Sequence, residues 1–147
     1  MLERAKQYDI PTFLFDRSAL YEQTSVLRKL QALKVDFIVL AGFLWLLPES
    51  IIDNYPQKIV NLHPALLPKY SGKDMYGMRV HQAIALAKEV ESGITIHYVN
   101  EGYDTGQIIF QQKCSLSTED TPESIAEKVH QLEYKHYPKV IEAVLIE

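Results

Sequence analysis

Lys58-Ile59-Val60-Asn61-Leu62-His63-Pro64-Ala65-Leu66-Leu67-Pro68-Lys69-Tyr70 is the stretch whose reading decides the fold. Its short apolar run, with β-branched residues that suit a pleated surface, predicts a buried strand, and the two prolines beyond it stop that strand. Side chains alternate across a strand, so Asn61 and His63 point to one side and Leu62 to the other. Two polar groups thus emerge together at a strand end, the usual position of a ligand crevice in an open α/β sheet.

The flanking elements extend the pattern. Phe37-Ile38-Val39-Leu40 reads as a strand apolar on both faces, as in a covered parallel sheet. Ala41 to Leu47 leaves it as an apolar loop, Pro48-Glu49-Ser50 opens a short helix that Pro56 ends, and the Asn61/His63 strand follows. That is a β-α-β crossover with parallel strands. Upstream, Leu2 to Tyr8 reads as the end of a helix, Thr12 to Phe15 as a short strand, and Ser18 as the cap of a helix from Ala19 to Leu33 with an apolar stripe at Leu20, Val26, Leu27, Leu30 and Leu33.

Downstream, residues 69 to 79 form a long loop with Gly72 and Gly77, of the kind that carries function, before a helix near Val80 to Lys88. Ile94 to Val99 and Gln107 to Lys113 read as two strands so close in sequence that they pair antiparallel. Thr121 caps a final helix opened by Pro122, whose stripe runs Ile125, Val129, Leu132, His136, Val140, Val144, with a bend expected at Pro138. The fold class expected is α/β.

At 147 residues, 47% hydrophobic and 23% charged, the chain is an ordinary globular sequence with no repeat or linker, read as one domain over 1–147. A net charge of −4 without a Lys/Arg cluster argues against nucleic acid as a partner. The longest apolar run, Phe37 to Leu47, is 11 residues and is interrupted by Gly42, so no membrane span is expected. Cys114 is the only cysteine, which rules out an internal disulfide and fits the cytoplasm. His81, His130 and His136 lack metal-ligand spacing, and no metal is expected.

Asn61 offers an amide donor to a developing oxyanion, and His63 an imidazole that titrates near neutrality. Asp104 lies in the turn Gly102-Tyr103-Asp104-Thr105-Gly106, where a carboxylate can approach another group. The three suit acyl-type transfer, and since no activated Ser or Cys accompanies them, the substrate's own nucleophile attacks. Each also has a plain reading: a capping Asn, a packed His and a turn Asp. His97 reads as a core residue or one supporting the site from behind.

Asn61-Leu62-His63-Pro64-Ala65-Leu66-Leu67-Pro68-Lys69-Tyr70, Gly93 to Val99 and Tyr103-Asp104-Thr105-Gly106, in that order and spacing, resemble the folate-dependent formyltransferase family over nearly the whole chain. The resemblance implies a Rossmann-like formyltransferase fold, three-layered, with a mainly parallel sheet and an antiparallel C-terminal strand. It implies transfer of a formyl group from 10-formyltetrahydrofolate to the amine of glycinamide ribonucleotide, with Asn61, His63 and Asp104 as the catalytic trio. Leu44, Trp45, Leu46 and Leu47 match the loop bordering the pterin, and Asn100, Glu101, Gly102 and Tyr103 the loop closing over it. Glu133 matches the acidic residue on the substrate ribose, Leu62 and Pro64 flank the substrate, and Arg17 aligns with a folate-site arginine.

A related activity, hydrolysis of formyltetrahydrofolate, uses the same trio on water, and a folate-binding fragment without turnover is the non-enzymatic alternative. The family opens on a strand and a Gly-x-Gly-Ser-Asn loop that holds the substrate phosphate; the chain reads as N-terminally shortened against that pattern. An uncovered sheet edge would then favour a homo-oligomer.

Overall fold

The computed structural model describes residues 2–146. They fall into two compact units, one ending at Val35 and one beginning at Asp36. In the first, α1 (Leu2–Gln7) is helical as expected, while α2 (Arg17–Tyr21) and α3 (Ser25–Ala32) replace the long helix expected from Ala19 to Leu33. The cap is Asp16, whose carboxylate accepts the Ala19 amide at 2.8 Å, so Ser18 lies inside α2. The break follows from Thr24, left-handed at φ 51°, and from Ser25, whose hydroxyl donates to the Ala19 carbonyl at 3.0 Å. Short hydroxyl side chains compete with the helical ladder in this way. Leu20 and Val26 are buried, whereas Leu33 is exposed.

Thr12 to Phe15 is not a strand. Among the described residues of this unit there is no strand to pair with it, and aromatic β-propensity needs a partner to express itself. Phe13 and Phe15 instead stack on each other with centroids 6.1 Å apart.

The second unit holds β1 (Ile38–Leu40), α4 (Glu49–Asn54), β2 (Ile59–His63), α5 (Met78–Leu86), β3 (Glu91–Tyr98), β4 (Ile108–Ser115) and α6 (Pro122–Ile146). The sheet order is β1-β2-β3-β4. β1 and β2 are parallel, as the α4 crossover predicts, with Leu40 opposite Asn61. Both other pairings are antiparallel, so this sheet is mixed rather than mainly parallel. The register gives the reason: His63 leaves β2 opposite Thr95, and the loop and α5 return the chain to that same end of the sheet before β3 descends. Val39, expected to be covered on both faces, is exposed, since β1 pairs with β2 alone among the described strands.

Burial is concentrated around β3. Ile94 and Ile96 pack with Val80 and Ile84 of α5, Ile125 and Val129 of α6, and Ala65. The opposite face of β3 is polar and equally covered: Thr95 is fully buried, accepting the Leu67 amide at 3.0 Å and donating to the Ala65 carbonyl at 2.7 Å. These bonds hold the Pro64–Tyr70 turn against the sheet, and Gln111 adds a donor to the Leu67 carbonyl at 3.0 Å. Tyr70, Gly72, Asp74 and Gly77 all have positive φ, which accounts for the irregular path before α5. That helix starts and ends about a turn or less earlier than the sequence predicts.

Thr121 caps α6 as expected, its hydroxyl accepting the Ser124 amide at 3.2 Å, and the helix continues through Pro138. Between β3 and β4 the register slips at Ile96/His97, one residue of β4 being left over. Such a bulge re-aims neighbouring side chains. The turn below it ends at Gly106, where an added Cβ would collide with the Tyr98 carbonyl. Gly106→Ala is therefore expected to lower unfolding stability by about 1–3 kcal/mol in denaturant titration, as overpacking does, with the largest amide shift changes at 98–106.

Candidate active site

The alternation of β2 has the consequence read from sequence: Asn61 and His63 share the face of Thr95 and His97, while Leu62 pairs with Ile96 toward the core. His63 and His97 are nearly completely buried. Asn61 Nδ2 lies 3.3 Å from His97 Nε2 across the antiparallel pair. Because β1 and β2 are parallel, the loops following them, residues 41–48 and 64–70, leave the same end of the sheet.

Asp104 reaches this face from the β3–β4 turn. Its backbone is left-handed at φ 53°, a conformation Asp tolerates better than most residues. Asn100 braces the turn, its Oδ1 accepting the Gly102 amide at 3.1 Å and the Thr105 hydroxyl at 2.7 Å. The carboxylate then sits between two imidazoles, Oδ2 3.4 Å from His63 Nδ1 and Oδ1 3.5 Å from His97 Nε2. Gly72 adds its amide to Oδ2 at 3.4 Å.

The remaining ring nitrogens identify the tautomers. His63 Nε2 lies 2.7 Å from the Tyr70 carbonyl and His97 Nδ1 lies 2.9 Å from the Tyr98 carbonyl. A carbonyl only accepts, so both nitrogens carry hydrogen. With Nε2 unprotonated His97 accepts from Asn61 and leaves one N–H of that amide for a ligand; with Nε2 protonated it donates to Asp104 Oδ1. His63 turns an unprotonated Nδ1 toward Asp104, so a proton arriving there completes an ion pair. The arrangement can hold a proton and can offer a developing negative oxygen a donor from Asn61, with a second from His63 once its Nε2–H turns from the Tyr70 carbonyl.

Burial pushes the His63 pKa below its ordinary 6.5, against the opposing pull of the Asp104 charge and the Tyr70 carbonyl. Burial alone would raise Asp104, but the His97 hydrogen bond, the His63 charge and the Gly72 amide together outweigh it and hold the carboxyl below its usual value. His81 on α5 is buried with its Nδ1 unpartnered among the described residues, and burial, followed by the charges of His130 and His63, lowers it to about 4.

The other candidate residues divide by location. Leu44, Trp45, Leu46 and Leu47 line the loop after β1, Leu47 buried and Leu44 exposed, with Phe43 edge-on to Trp45 at 6.1 Å. Asn100, Glu101, Gly102 and Tyr103 form the same turn that presents Asp104, and Tyr103 is exposed. Glu133 on α6 accepts from His130 Nδ1 at 2.9 Å. Pro64 is half-buried just past His63. Arg17 opens α2 in the first unit, its guanidinium 5.6 Å over the Tyr21 ring.

Among the described residues no group of three or more His, Cys, Asp or Glu could hold a metal ion, and no helix is long and apolar enough to cross a membrane. His97 enters the constellation more directly than the sequence suggests, because the antiparallel β2–β3 register sets it opposite Asn61. Sequence reasoning also missed the Tyr70 carbonyl and the Gly72 amide, which no side-chain pattern advertises.

The shifts of His63 and Asp104 have one sign for stability. A folded pKa below the unfolded one means the unfolded chain binds protons first, so their stabilisation is present at neutral pH and lost on acidification, from 6.5 downward for His63 and below 3.8 for Asp104. In an NMR titration the His63 midpoint is expected below 6.5. Asp104→Asn should lower it further, because the carboxylate charge that raises it is gone; an upward move would contradict this assignment of the balance.

A sequence model described as formyl transferase matches residues 1–141. Phosphoribosylglycinamide formyltransferase of Bacillus subtilis is 38% identical over 150 residues, covering 99% of this chain and 74% of that protein. The chloroplastic phosphoribosylglycinamide formyltransferase of Arabidopsis thaliana is 40% identical over 97% of this chain, which spans only 50% of that longer protein. Among solved structures, phosphoribosylglycinamide formyltransferase from Bacillus halodurans superposes with a TM-score of 0.87 at 34% identity, over 98% of this chain and 74% of that one. The corresponding Anaplasma phagocytophilum structure gives a TM-score of 0.86 at 34% identity, over 97% and 67%. With its α/β Rossmann-like architecture and these relatives, the chain belongs to the formyl transferase family, on its phosphoribosylglycinamide formyltransferase branch.

Proposed function

We propose that the chain transfers a formyl group from 10-formyltetrahydrofolate to the amine of glycinamide ribonucleotide, a step of purine synthesis, in the cytoplasm. The observation that carries this reading is the Asp104 carboxylate between His63 and His97, with Asn61 beside them at the end of β2. The names of the relatives point to the same reaction.

The substrate amine attacks the formyl carbon, and the carbonyl electrons collect on oxygen. The remaining Asn61 N–H and the His63 Nε2–H, turned from the Tyr70 carbonyl, donate to that oxygen. The bond from carbon to the folate nitrogen then breaks, its electron pair staying on nitrogen. The proton lost by the attacking amine passes to that nitrogen, with His63 and Asp104 holding it on the way. No external acid or base is consumed.

The apolar Leu44–Leu47 segment and the Asn100–Tyr103 turn offer a slot for the flat pterin, Glu133 a carboxylate for the ribose hydroxyls, and Pro64 borders the substrate side. Loss of one oxyanion donor typically costs about 10²–10³ in turnover. Asn61→Ala and His63→Ala should each reduce kcat by about that factor with KM little changed, whereas Glu133→Ala should raise KM for the nucleotide more than it lowers kcat. Steady-state kinetics in both substrates checks this, and a His63→Ala enzyme with wild-type kcat would remove the catalytic assignment.

A further inference from the structure

We propose that Tyr137 is a positioning residue for this site, its hydroxyl pinning the end of β1 beside Val60 of β2 so that Asn61 and the 41–47 loop keep their place relative to the helix that carries Glu133. Tyr137 Oη donates to the Leu40 carbonyl at 2.7 Å and lies 3.5 Å from the Val60 carbonyl. Leu40 is the last residue of β1, and the loop assigned to the pterin starts immediately after it, turning at Gly42 with φ 67°. Val60 directly precedes Asn61. Glu133 stands four residues before Tyr137 on α6, hence one turn away on the same helical face.

One hydroxyl thus joins three segments with separate assignments in the proposed site, and the inference rests on that reading. The rest of α6 meets the sheet through Ile125 and Val129 in the core, with Leu132, Tyr137 and Val140 beside it. Such apolar contacts are non-directional and tolerate small slides. A hydrogen bond of 2.7 Å to one carbonyl does not, and it registers the helix against the carboxyl end of β1, beside Val60 of the neighbouring β2. Burial raises the Tyr137 phenol well above its ordinary pKa, so it remains a donor across the working range.

The test uses Tyr137→Phe in the full chain, with Tyr134→Phe, an exposed phenol on the same helix, as the matched control. Amide hydrogen exchange is expected to speed up at least tenfold in 41–47 and 60–63 of Tyr137→Phe, with β4 and α5 unchanged and the control like wild type. kcat per folded molecule should fall about tenfold with an unaltered pH profile, since small misplacements of reacting groups are costly. In wild type the Tyr137 hydroxyl proton should be visible by NMR, exchanging slowly and close to the Ala41 amide, a readout that does not depend on the variant folding. Uniform acceleration of exchange throughout the second unit, wild-type kcat in the variant, or a fast-exchanging hydroxyl would each overturn the proposal. An inactive wild-type chain would count against the proposed function and leave the exchange and hydroxyl measurements to decide the role of Tyr137.

Discussion

The placing of one carboxylate between two imidazoles organises this structure. Asp104 touches His63 through one oxygen and His97 through the other, and the two histidines belong to different strands. Holding a charge in that position requires a turn that can take a left-handed Asp, an Asn100 brace and a glycine tight against Tyr98, with a β4 bulge beside His97 leading into that turn. A buried polar network of this kind is strongly stabilising for a single arrangement when satisfied and costly when half-satisfied. The surrounding backbone is accordingly committed to it: the carbonyls of Tyr70 and Tyr98 and the amide of Gly72 each serve one member of the cluster.

The same constraint explains why the apolar core lies where it does. The Ile94 and Ile96 face of β3 packs on two helices, while the Thr95 and His97 face is covered by the Pro64–Tyr70 turn and by the site itself. Both faces of β3 are buried, one by apolar contact and the other by hydrogen bonds, so the strand works as a wall between stability and chemistry. Burial in that wall keeps His63 neutral at rest, and the neighbouring carboxylate makes the protonated form available when a proton arrives.

Much of this was legible in the residues. Period-two alternation put Asn61 and His63 on one side, the prolines ended β2, the short glycine-rich link implied the β3–β4 pairing, and the glycine-flanked Asp104 suggested a carboxylate held close to something. What was not legible depended on partners far away in sequence, or on a local side-chain bond that overrode the helical pattern. Thr12 to Phe15 carries strand-forming residues but has no ladder partner among the described residues of its unit; the stripe from Leu20 to Leu33 is helical yet is cut at the left-handed Thr24, beside the Ser25 hydroxyl bond to Ala19. The antiparallel direction of β3 against β2 is decided by which end of the sheet the intervening loop and α5 return to, and no local pattern encodes that. Tyr137 gives no sequence signal either, since its partner carbonyl lies 97 residues away.

The central claim is that the Asn61, His63 and Asp104 cluster directs a formyl carbon to an amine rather than to water. The most direct measurement is to supply 10-formyltetrahydrofolate labelled with carbon-13 at the formyl carbon together with glycinamide ribonucleotide, and to follow the label by NMR. The label is expected to move into the formamide of the nucleotide product, at a rate abolished by the absence of the nucleotide. Label appearing as free formate, whether or not the nucleotide is present, would contradict it.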